Sequence, residues 1–268
     1  MSKSSPTLAD VLQPPSLRAA RTVGALILRE MSARYGNSPG GYIWSVLQPL
    51  GMVLILSVGF SLLLRSPSLG TSFLMFYATG YLPFIFYAEI TSKTSVSLQY
   101  SRTLLAYPGV VWIDSILARF ILNFVTSAVV FCIVISGIMI LTETRTILSL
   151  EPIFVGLAIC TLVGLGVGLV NAVLFGVAPI WERIWPILSR PMFIASGVLF
   201  LYEDLPEGAQ NFLWWNPLLH GTGLVRMGFY PTYHAEYVSV VYCLLISLSA
   251  IALGLIFLRS KHKKILEI

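Results

Sequence analysis

Six long apolar segments divide the chain. A helix needs about 20 apolar residues to cross the roughly 30 Å hydrocarbon core of a bilayer, and six stretches reach or approach that length. They lie at residues 44–64, 73–91, 116–141, 153–178, 186–202 and 238–258. The fifth is the shortest and carries Arg190 between two prolines. The pattern predicts an all-α integral membrane protein with six transmembrane helices.

An amphipathic pattern precedes the first apolar segment. At 100° per residue, residues 17–34 place most of their apolar side chains on one side of a helix and several polar ones on the other. The bases of this segment are Arg18, Arg21, Arg29 and Arg34. Basic amphipathic helices lie in the membrane interface with their bases toward anionic headgroups. The segment is therefore predicted to be an interfacial helix, which either only anchors the chain or also contacts a cytoplasmic partner.

The stretch FLWWNPLLHGTGLVRMGFYP, residues 212–231, is too apolar for an ordinary loop and too broken by proline and glycine for a spanning helix. It belongs to a connection, residues 203–237, that is longer than compact domains usually leave without structure. Short re-entrant helices between the fifth and sixth spans fit it better, because broken backbone at membrane depth needs cover from protein or a watery cavity. Its aromatic residues either anchor the chain at headgroup level or stack against sugar rings.

Composition and charge support a single membrane domain. Hydrophobic residues make up 56% of the chain and charged residues 11%, against about 25% charged in soluble domains. The domain is predicted over residues 17–260, between cytoplasmic tails at 1–16 and 261–268. The formal charge of +5 comes from bases that flank apolar segments, which argues for topology and against nucleic-acid binding.

The distribution of basic residues predicts the orientation. Twelve of the seventeen lysines and arginines lie on the side that holds both termini, and the opposite connections carry three, namely Arg65, Arg145 and Arg226. By the positive-inside rule both termini are cytoplasmic. The cytoplasmic connection 93–119 contains a predicted amphipathic helix at about 95–106, a break at Pro108–Gly109, and Asp114 or Ser115 as the cap of the third span. Its exposed apolar side chains suit the groove of a partner protein.

Two ionisable residues are identified within the predicted spans. Glu89 has Lys93 four residues on, which favours an ion pair at the interface; proton coupling is the alternative. Arg190 either snorkels toward the headgroups or faces a cavity and meets an anionic substrate. Four glycines, Gly164, Gly166, Gly168 and Gly176, give the fourth span faces for close helix packing.

Catalytic and nucleotide-binding motifs are absent from the sequence. No Gly-x-x-x-x-Gly-Lys-Ser/Thr loop, His-Glu-x-x-His or Gly-x-Ser-x-Gly occurs, and the three histidines are scattered. The phosphate loop is the usual cradle for a nucleoside triphosphate. We therefore predict no enzyme, no metal and no cofactor in this chain.

Three motifs follow one another along the chain, RYGNSPGGYIWSVLQPL (34–50), RTLLAYPGVVWIDSILAR (102–119) and WNPLLHGTGLVRMGF (215–229). Together they resemble the permease subunit of ABC-2 type exporters, and more narrowly the capsular polysaccharide export permeases of Gram-negative bacteria. The chain departs from similar proteins at Pro39–Gly40, where a bulkier pair without proline is expected, and at Ser101, where an asparagine often precedes the arginine.

The resemblance implies a homodimer in the bacterial inner membrane, driven by two copies of a separate cytoplasmic ATPase that binds ATP and Mg. It implies a lipid-linked acidic polysaccharide as substrate, and periplasmic and outer-membrane partners. The coupling residues would be Arg102, Leu104, Leu105, Tyr107 and Pro108. The candidate glycan path is Trp214, Trp215, His220, Arg226, Phe229, Tyr230 and Arg190.

Other interpretations remain open at this point. Exporters of O-antigen and teichoic acid share the same architecture, although His220 and Arg226 favour capsule. A secondary transporter would need an internal repeat or several charges inside the spans. An intramembrane transferase would need clustered Asp, His or Ser at the interface, and the sequence offers none.

Overall fold

The computed structural model describes residues 15–35, 41–102, 111–142 and 148–267. Within these ranges the protein is built from α-helices and contains no β-strand. The helices are α1 (Pro15–Tyr35), α2 (Gly41–Ser61), α3 (Phe73–Ser95), α4 (Ser97–Tyr100), α5 (Trp112–Leu141), α6 (Leu150–Val177), α7 (Ile180–Ala195), α8 (Glu207–Leu213), α9 (Pro217–Phe229) and α10 (Val240–Glu267), with a 3-10 turn at Tyr202–Asp204. The predicted all-α class is confirmed for this part of the chain.

Five of the described helices are long and apolar enough to cross a membrane. They are α2, α3, α5, α6 and the first 23 residues of α10. The fifth predicted span, 186–202, differs from the structure. Helix α7 has 16 residues, about 24 Å at 1.5 Å per residue, and it ends at Ala195. The chain then turns at Gly197, whose φ of 70° is a left-handed conformation that glycine adopts without strain.

Helix α6 is the centre of the bundle. It packs against α3, α9 and α10, and its glycines make these approaches possible. A Cβ added at Gly164 would lie 2.9 Å from the Tyr87 carbonyl oxygen of α3, and one at Gly168 would lie 2.7 Å from Thr94 Cβ. A Cβ at Gly166 would instead meet Ala250 of α10 at 2.9 Å. The predicted close-packing faces are confirmed, and they point to two different neighbours.

The remaining helices surround this centre. Helix α3 is the most deeply buried of the five long helices, whereas α2 and α10 have few buried residues. The exposed side chains of α2 are large and apolar, such as Ile55 at 69% and Val58 at 58% exposure. Helix α1 packs on α5. We call the end of the bundle with α1 and α4 the α1 end, and the opposite end the α9 end.

The glycine packing gives a testable prediction. Gly168→Leu forces a side chain between α6 and α3, and overpacking of this kind costs typically about 1–3 kcal/mol. Gly137→Leu on α5 is the matched control, because a Cβ there meets nothing within 4 Å. Thermal unfolding of the purified protein in one detergent should show a lower midpoint for Gly168→Leu alone. Equal midpoints for the two variants would contradict close packing at Gly168.

Candidate functional site

Helix α9 forms the centre of the first candidate site. The Asn216 side chain caps its start by accepting a hydrogen bond from the Leu218 amide at 3.1 Å, and Pro217 occupies the first turn, where no amide donor is needed. The Asn216 amide nitrogen also donates to the Ala195 carbonyl at 2.9 Å. One side chain therefore ends α7 and begins α9. Nearly every residue of α9 is buried, so the broken stretch is a short helix enclosed by the protein.

Two side chains of α9 bind the backbone that follows α7. Thr222 donates to the Ser196 carbonyl at 2.7 Å. One turn later, Arg226 donates to the carbonyls of Val198 at 3.1 Å and Phe200 at 2.9 Å. These bonds satisfy carbonyls in a segment that has left the helix, where orphan groups are costly.

Arg226 is held in place by α3. Its guanidinium lies 4.4 Å from the centroid of the Phe76 ring, within cation–π range. Gly80 leaves the space for it, since a Cβ at Gly80 would lie 2.8 Å from Arg226 Nη2. The side chain is 2% exposed. Arg226 therefore acts inside the protein in this conformation, and it offers no surface to a glycan.

His220 is fixed in one neutral form. Its Nδ1 lies 3.2 Å from the Ser239 amide nitrogen, which can only donate. Its Nε2 lies 2.7 Å from the Trp214 carbonyl oxygen, which can only accept. The proton is therefore on Nε2, and both ring nitrogens are satisfied without a charge. His220 is fully buried and joins the turn before α9 to the start of α10.

The aromatic residues of this region divide by exposure. Trp214 donates its indole N–H to the Tyr237 carbonyl at 3.0 Å and packs against Tyr242, with ring centroids 4.8 Å apart. Phe229 and Tyr230 are buried. Trp215 is 66% exposed. Among the aromatic residues predicted for a glycan path, Trp215 is thus the one whose ring is mostly accessible.

Two tyrosines after α9 remain protonated. Burial raises the pKa of Tyr230 to about 12, although the charge of Arg226 acts in the opposite direction. Burial also raises the pKa of Tyr233, and the neighbouring Tyr237 and Glu203 add to the rise. The Tyr233 hydroxyl donates to Glu203 at 3.1 Å. This bond links the segment before α10 to the 3-10 turn after α7.

Arg190 lies apart from the buried set, on the exposed surface of α7. No residue of α7 is buried within the chain, and its exposed side chains are both charged and apolar, with Ile187 at 68% exposure. A helix with such a mixed surface is unsuited to lipid on every side. Arg190 and Trp215 are the members of the predicted path that the single chain leaves accessible.

At the α1 end, Arg119 connects three elements. Its guanidinium forms an ion pair with Glu30 of α1 at 3.0 Å, donates to the Lys93 carbonyl of α3 at 3.4 Å, and lies 4.4 Å from the Tyr100 ring of α4. Arg119 is 4% exposed. Helix α1, the end of α3 and helix α4 are therefore all in contact with one side chain of α5.

The sequence reasoning missed Arg119. The sequence did contain an indication of its importance. Arg119 lies in the first turns of the predicted span 116–141 and is a third ionisable group there, beside Glu89 and Arg190 in other spans. The predicted Glu89–Lys93 pair is present, with 3.9 Å between nitrogen and oxygen. The partner of Arg119 lies 89 residues away, and no local pattern pointed to it.

The base of the connection is bonded to α5. The Ser101 and Ser115 hydroxyls lie 2.6 Å apart, so the serine that departs from the family pattern has a partner. The predicted cap of the third span is corrected: α5 begins at Trp112, and Asp114 accepts from the Val111 amide at 3.1 Å from within the first turn.

The remaining coupling and interfacial predictions are only partly within the described structure. Arg102 is exposed, whereas Leu104, Leu105, Tyr107 and Pro108 lie outside the described residues. On α1, Arg21 and Arg29 are exposed and Val23 is buried, whereas the apolar Leu28 is 69% exposed. The side chains of Arg18 and Arg34 are not among those described.

Comparison with known proteins identifies the class. The sequence profile of the ABC-2 type transporter family matches residues 21–230, well over half of the chain. The chain therefore belongs to the ABC-2 type transporter family. The membrane permeases of this family are transport subunits and not enzymes.

Relatives within that class extend over almost the whole chain. The chain is 28% identical over 245 residues to the polysialic acid transport protein KpsM of Escherichia coli, covering 91% of this chain and 95% of that protein. It is 25% identical over 236 residues to the capsule polysaccharide export inner-membrane protein CtrC of Neisseria meningitidis, with 88% and 89% covered. It is 22% identical over 243 residues to the capsule polysaccharide export inner-membrane protein BexB of Haemophilus influenzae, with 91% and 92% covered.

The Arg119 contacts give the second prediction. Arg119→Met leaves Glu30 without its ion-pair partner and should destabilise the protein by about 2 kcal/mol, below the 3–5 kcal/mol of fully buried pairs because Glu30 is partly exposed. Arg259→Met at the exposed end of α10 is the control. The free energy of unfolding is measured by denaturant titration of the purified protein. The double variant Arg119→Glu with Glu30→Arg exchanges the two charges and should recover part of the lost free energy of unfolding. No recovery would contradict a specific ion pair.

Proposed function

We propose that the chain is the membrane-spanning permease of an ATP-driven exporter that moves lipid-linked capsular polysaccharide out of the cytoplasm. The observation that carries the proposal is the alignment with three capsule or polysialic acid transport proteins over about nine-tenths of the chain. The bundle of long apolar helices and the absence of a phosphate loop in the sequence support a membrane subunit that depends on another protein for energy.

The names of these relatives, which export capsule polysaccharide or polysialic acid, favour capsule over O-antigen or teichoic acid. A secondary transporter is the weaker alternative. Two ion pairs involve the described long helices: Glu89 of α3 pairs with Lys93, and Arg119 of α5 pairs with Glu30 of α1. Such pairs do not form the relay that proton coupling would need.

The proposed location is the bacterial inner membrane, with six crossings and both termini cytoplasmic. The sixth crossing needs more than α7, because about 24 Å does not cover a core of roughly 30 Å. We propose that residues 196–201 complete it in non-helical form. Non-helical backbone is tolerated at that depth only when protein satisfies its polar groups, and the Thr222 and Arg226 bonds to the carbonyls of this segment do so. In this arrangement α8 and α9 are the re-entrant helices.

The surface of α7 supports the proposal of a homodimer. An exposed helix that carries Arg190 beside apolar side chains requires a covering that is neither plain lipid nor plain water. A second copy around a central path supplies it, with α2 as the other exposed helix of suitable length. Two copies of an ATPase that binds ATP and Mg would dock at the α1 end, where Arg102 is exposed. Periplasmic and outer-membrane proteins would continue the path.

Force from the ATPase would enter the bundle through Arg119. A movement of the connection displaces α4, and the contacts of Arg119 pass it to α1 and α5. The Ser101–Ser115 bond is a second link between the connection and α5. This coupling is mechanical and needs no nucleotide on the permease itself.

Reconstitution tests the proposed function. The protein is placed in vesicles with an ABC ATPase as its proposed partner, and transfer of a lipid-linked capsular glycan across the bilayer is measured. Transfer should require both proteins and ATP. Transfer by the permease alone, without any ATPase, would overturn the proposal.

The exposed indole of Trp215 gives a prediction on the glycan path. The variant Trp215→Ala removes one aromatic stacking interaction, which contributes about 1 kcal/mol. It should therefore lower the export rate roughly fivefold, while membrane insertion and ATPase binding stay normal. Phe212→Ala, which removes another exposed aromatic ring from the neighbouring α8, is the control. Surface polysaccharide is quantified in cells that carry each variant. Equal export by Trp215→Ala and the unsubstituted protein would remove Trp215 from the path.

A further inference from the structure

Helix α10 is longer than one membrane crossing needs. Its 28 residues extend over about 42 Å at 1.5 Å per residue, whereas the hydrocarbon core is roughly 30 Å thick. Counted from Val240, the core ends near Arg259, and both Arg259 and Lys261 are exposed bases. The turns that follow therefore lie beyond the core, at the α1 end of the bundle. We call residues 259–267 the α10 extension.

The α10 extension is packed against two other helices. Ile265 is 6% exposed and lies on Gly176 in the last turn of α6, where an added Cβ would be 2.5 Å from Ile265 Cγ1. One turn earlier, the His262 ring stacks on Trp112 at the start of α5, with ring centroids 5.9 Å apart and 27° between the ring planes. These contacts fix the extension to the ends of α5 and α6.

Helix α4 packs at the same place. Its Leu98 is 1% exposed and belongs to a buried apolar cluster that includes Leu169 of α6 and Leu258 and Ile265 of α10. Helices α4 and α10 are in direct contact. Because α4 has four residues, it is far too short to be stable as an isolated helix. Its position therefore depends on the side chains that enclose Leu98.

The cluster around Leu98 joins α4 to the centre of the bundle. The contacts of Arg119 link α4 to α5 and α1, and the Ser101–Ser115 bond links the connection to α5. The Leu98 cluster adds α6, which packs against α3, α9 and α10. A displacement of α4 toward this cluster presses on the helix that holds the others together.

We propose that the α10 extension is a positioning element for the coupling connection, with Ile265 as its anchor on α6. The inference rests on the proposed function, in which an ATPase moves the connection that begins at α4. With the extension in place, α4 stays against α6 and its displacement moves the bundle. Without it, α4 yields locally, and ATP hydrolysis continues with less transport.

Hydrogen exchange of the purified protein in one detergent tests the positioning. The amides of Tyr100 and Ser101 donate hydrogen bonds within the turn of α4, and their exchange reports how often that turn opens. In Ile265→Ala they should exchange about tenfold faster, because a void replaces the anchor. Ile265→Val removes one methyl group and should give a smaller rise, which keeps the test available if the alanine variant does not fold.

Two further variants assign the effect to the anchor. Ile256→Ala removes the same atoms from a residue of α10 that is 63% exposed, and it should leave the exchange of α4 unchanged. Gly176→Ala alone should displace Ile265 and raise the exchange. Gly176→Ala combined with Ile265→Ala places a methyl group in the vacated space, so the pair should recover part of the protection that Ile265→Ala loses.

The role in coupling has its own measurement. Vesicles that hold the permease and an ABC ATPase are assayed for glycan transferred per ATP hydrolysed. This ratio should fall about fivefold in Ile265→Ala, a change of the size expected for a residue that carries coupling. Complex assembly and ATP hydrolysis should persist, whereas a general loss of folded protein would lower transfer and hydrolysis together. The ratio should stay normal in Ile256→Ala.

The outcomes separate the α10 extension from the proposed function. Unchanged exchange of α4 in both Ile265 variants, or an equal rise in Ile256→Ala, overturns the positioning role. Faster exchange with an unchanged ratio of transfer to hydrolysis overturns the role in coupling. Absence of transfer by the unsubstituted permease with its ATPase defeats the proposed function, and the exchange data then decide whether the extension positions α4.

Discussion

The fold depends on satisfying backbone carbonyls where the chain leaves the helix after α7. Water cannot reach such groups inside a bilayer, and each one left unpaired costs free energy comparable to a lost hydrogen bond. Helix α9 supplies the donors, with Thr222 for Ser196 and Arg226 for Val198 and Phe200. The enclosure of α9 follows from this task, because donors must be buried beside the carbonyls that they serve. A short, glycine-containing helix fits there, since Gly156 of α6 and Gly221 of α9 permit close approach.

The two ends of the bundle use charge differently. At the α9 end Arg226 is buried. Its guanidinium contacts neutral backbone carbonyls and the Phe76 ring, and it forms no ion pair with a carboxylate of the described residues. At the α1 end Arg119 has a carboxylate from α1. The hydrogen bonds of Arg226 hold a fixed segment of backbone. The Arg119–Glu30 ion pair instead joins separate helices, which need to move together in the proposed coupling.

Much of this architecture was predictable from local sequence. The five long helices follow from runs of apolar residues, the glycine faces of α6 from their spacing, and the two short helices α8 and α9 from prolines and glycines that exclude a long one. The residues proposed for a glycan path were harder. Arg226, His220 and Phe229 have the chemistry of a binding site, yet all three are buried, and only their neighbours in space reveal their structural role. Arg190 and Trp215 are exposed and therefore remain candidates for the glycan path.

The sequence by itself determined the class of the protein and its helices. Hydropathy, periodicity and the placement of positive charge are local patterns, which can be read over a few neighbouring residues. The end of α7 at Ala195, the fixed tautomer of His220 and the partners of Arg119 were decided by the tertiary structure. Each of these depends on groups from different elements of the fold, which lie 6 residues apart for His220 and Trp214 and 89 residues apart for Arg119 and Glu30. The hydrogen bonds and charges of a buried side chain are set by whatever the folded chain brings beside it, and no pattern along the sequence specifies that neighbour.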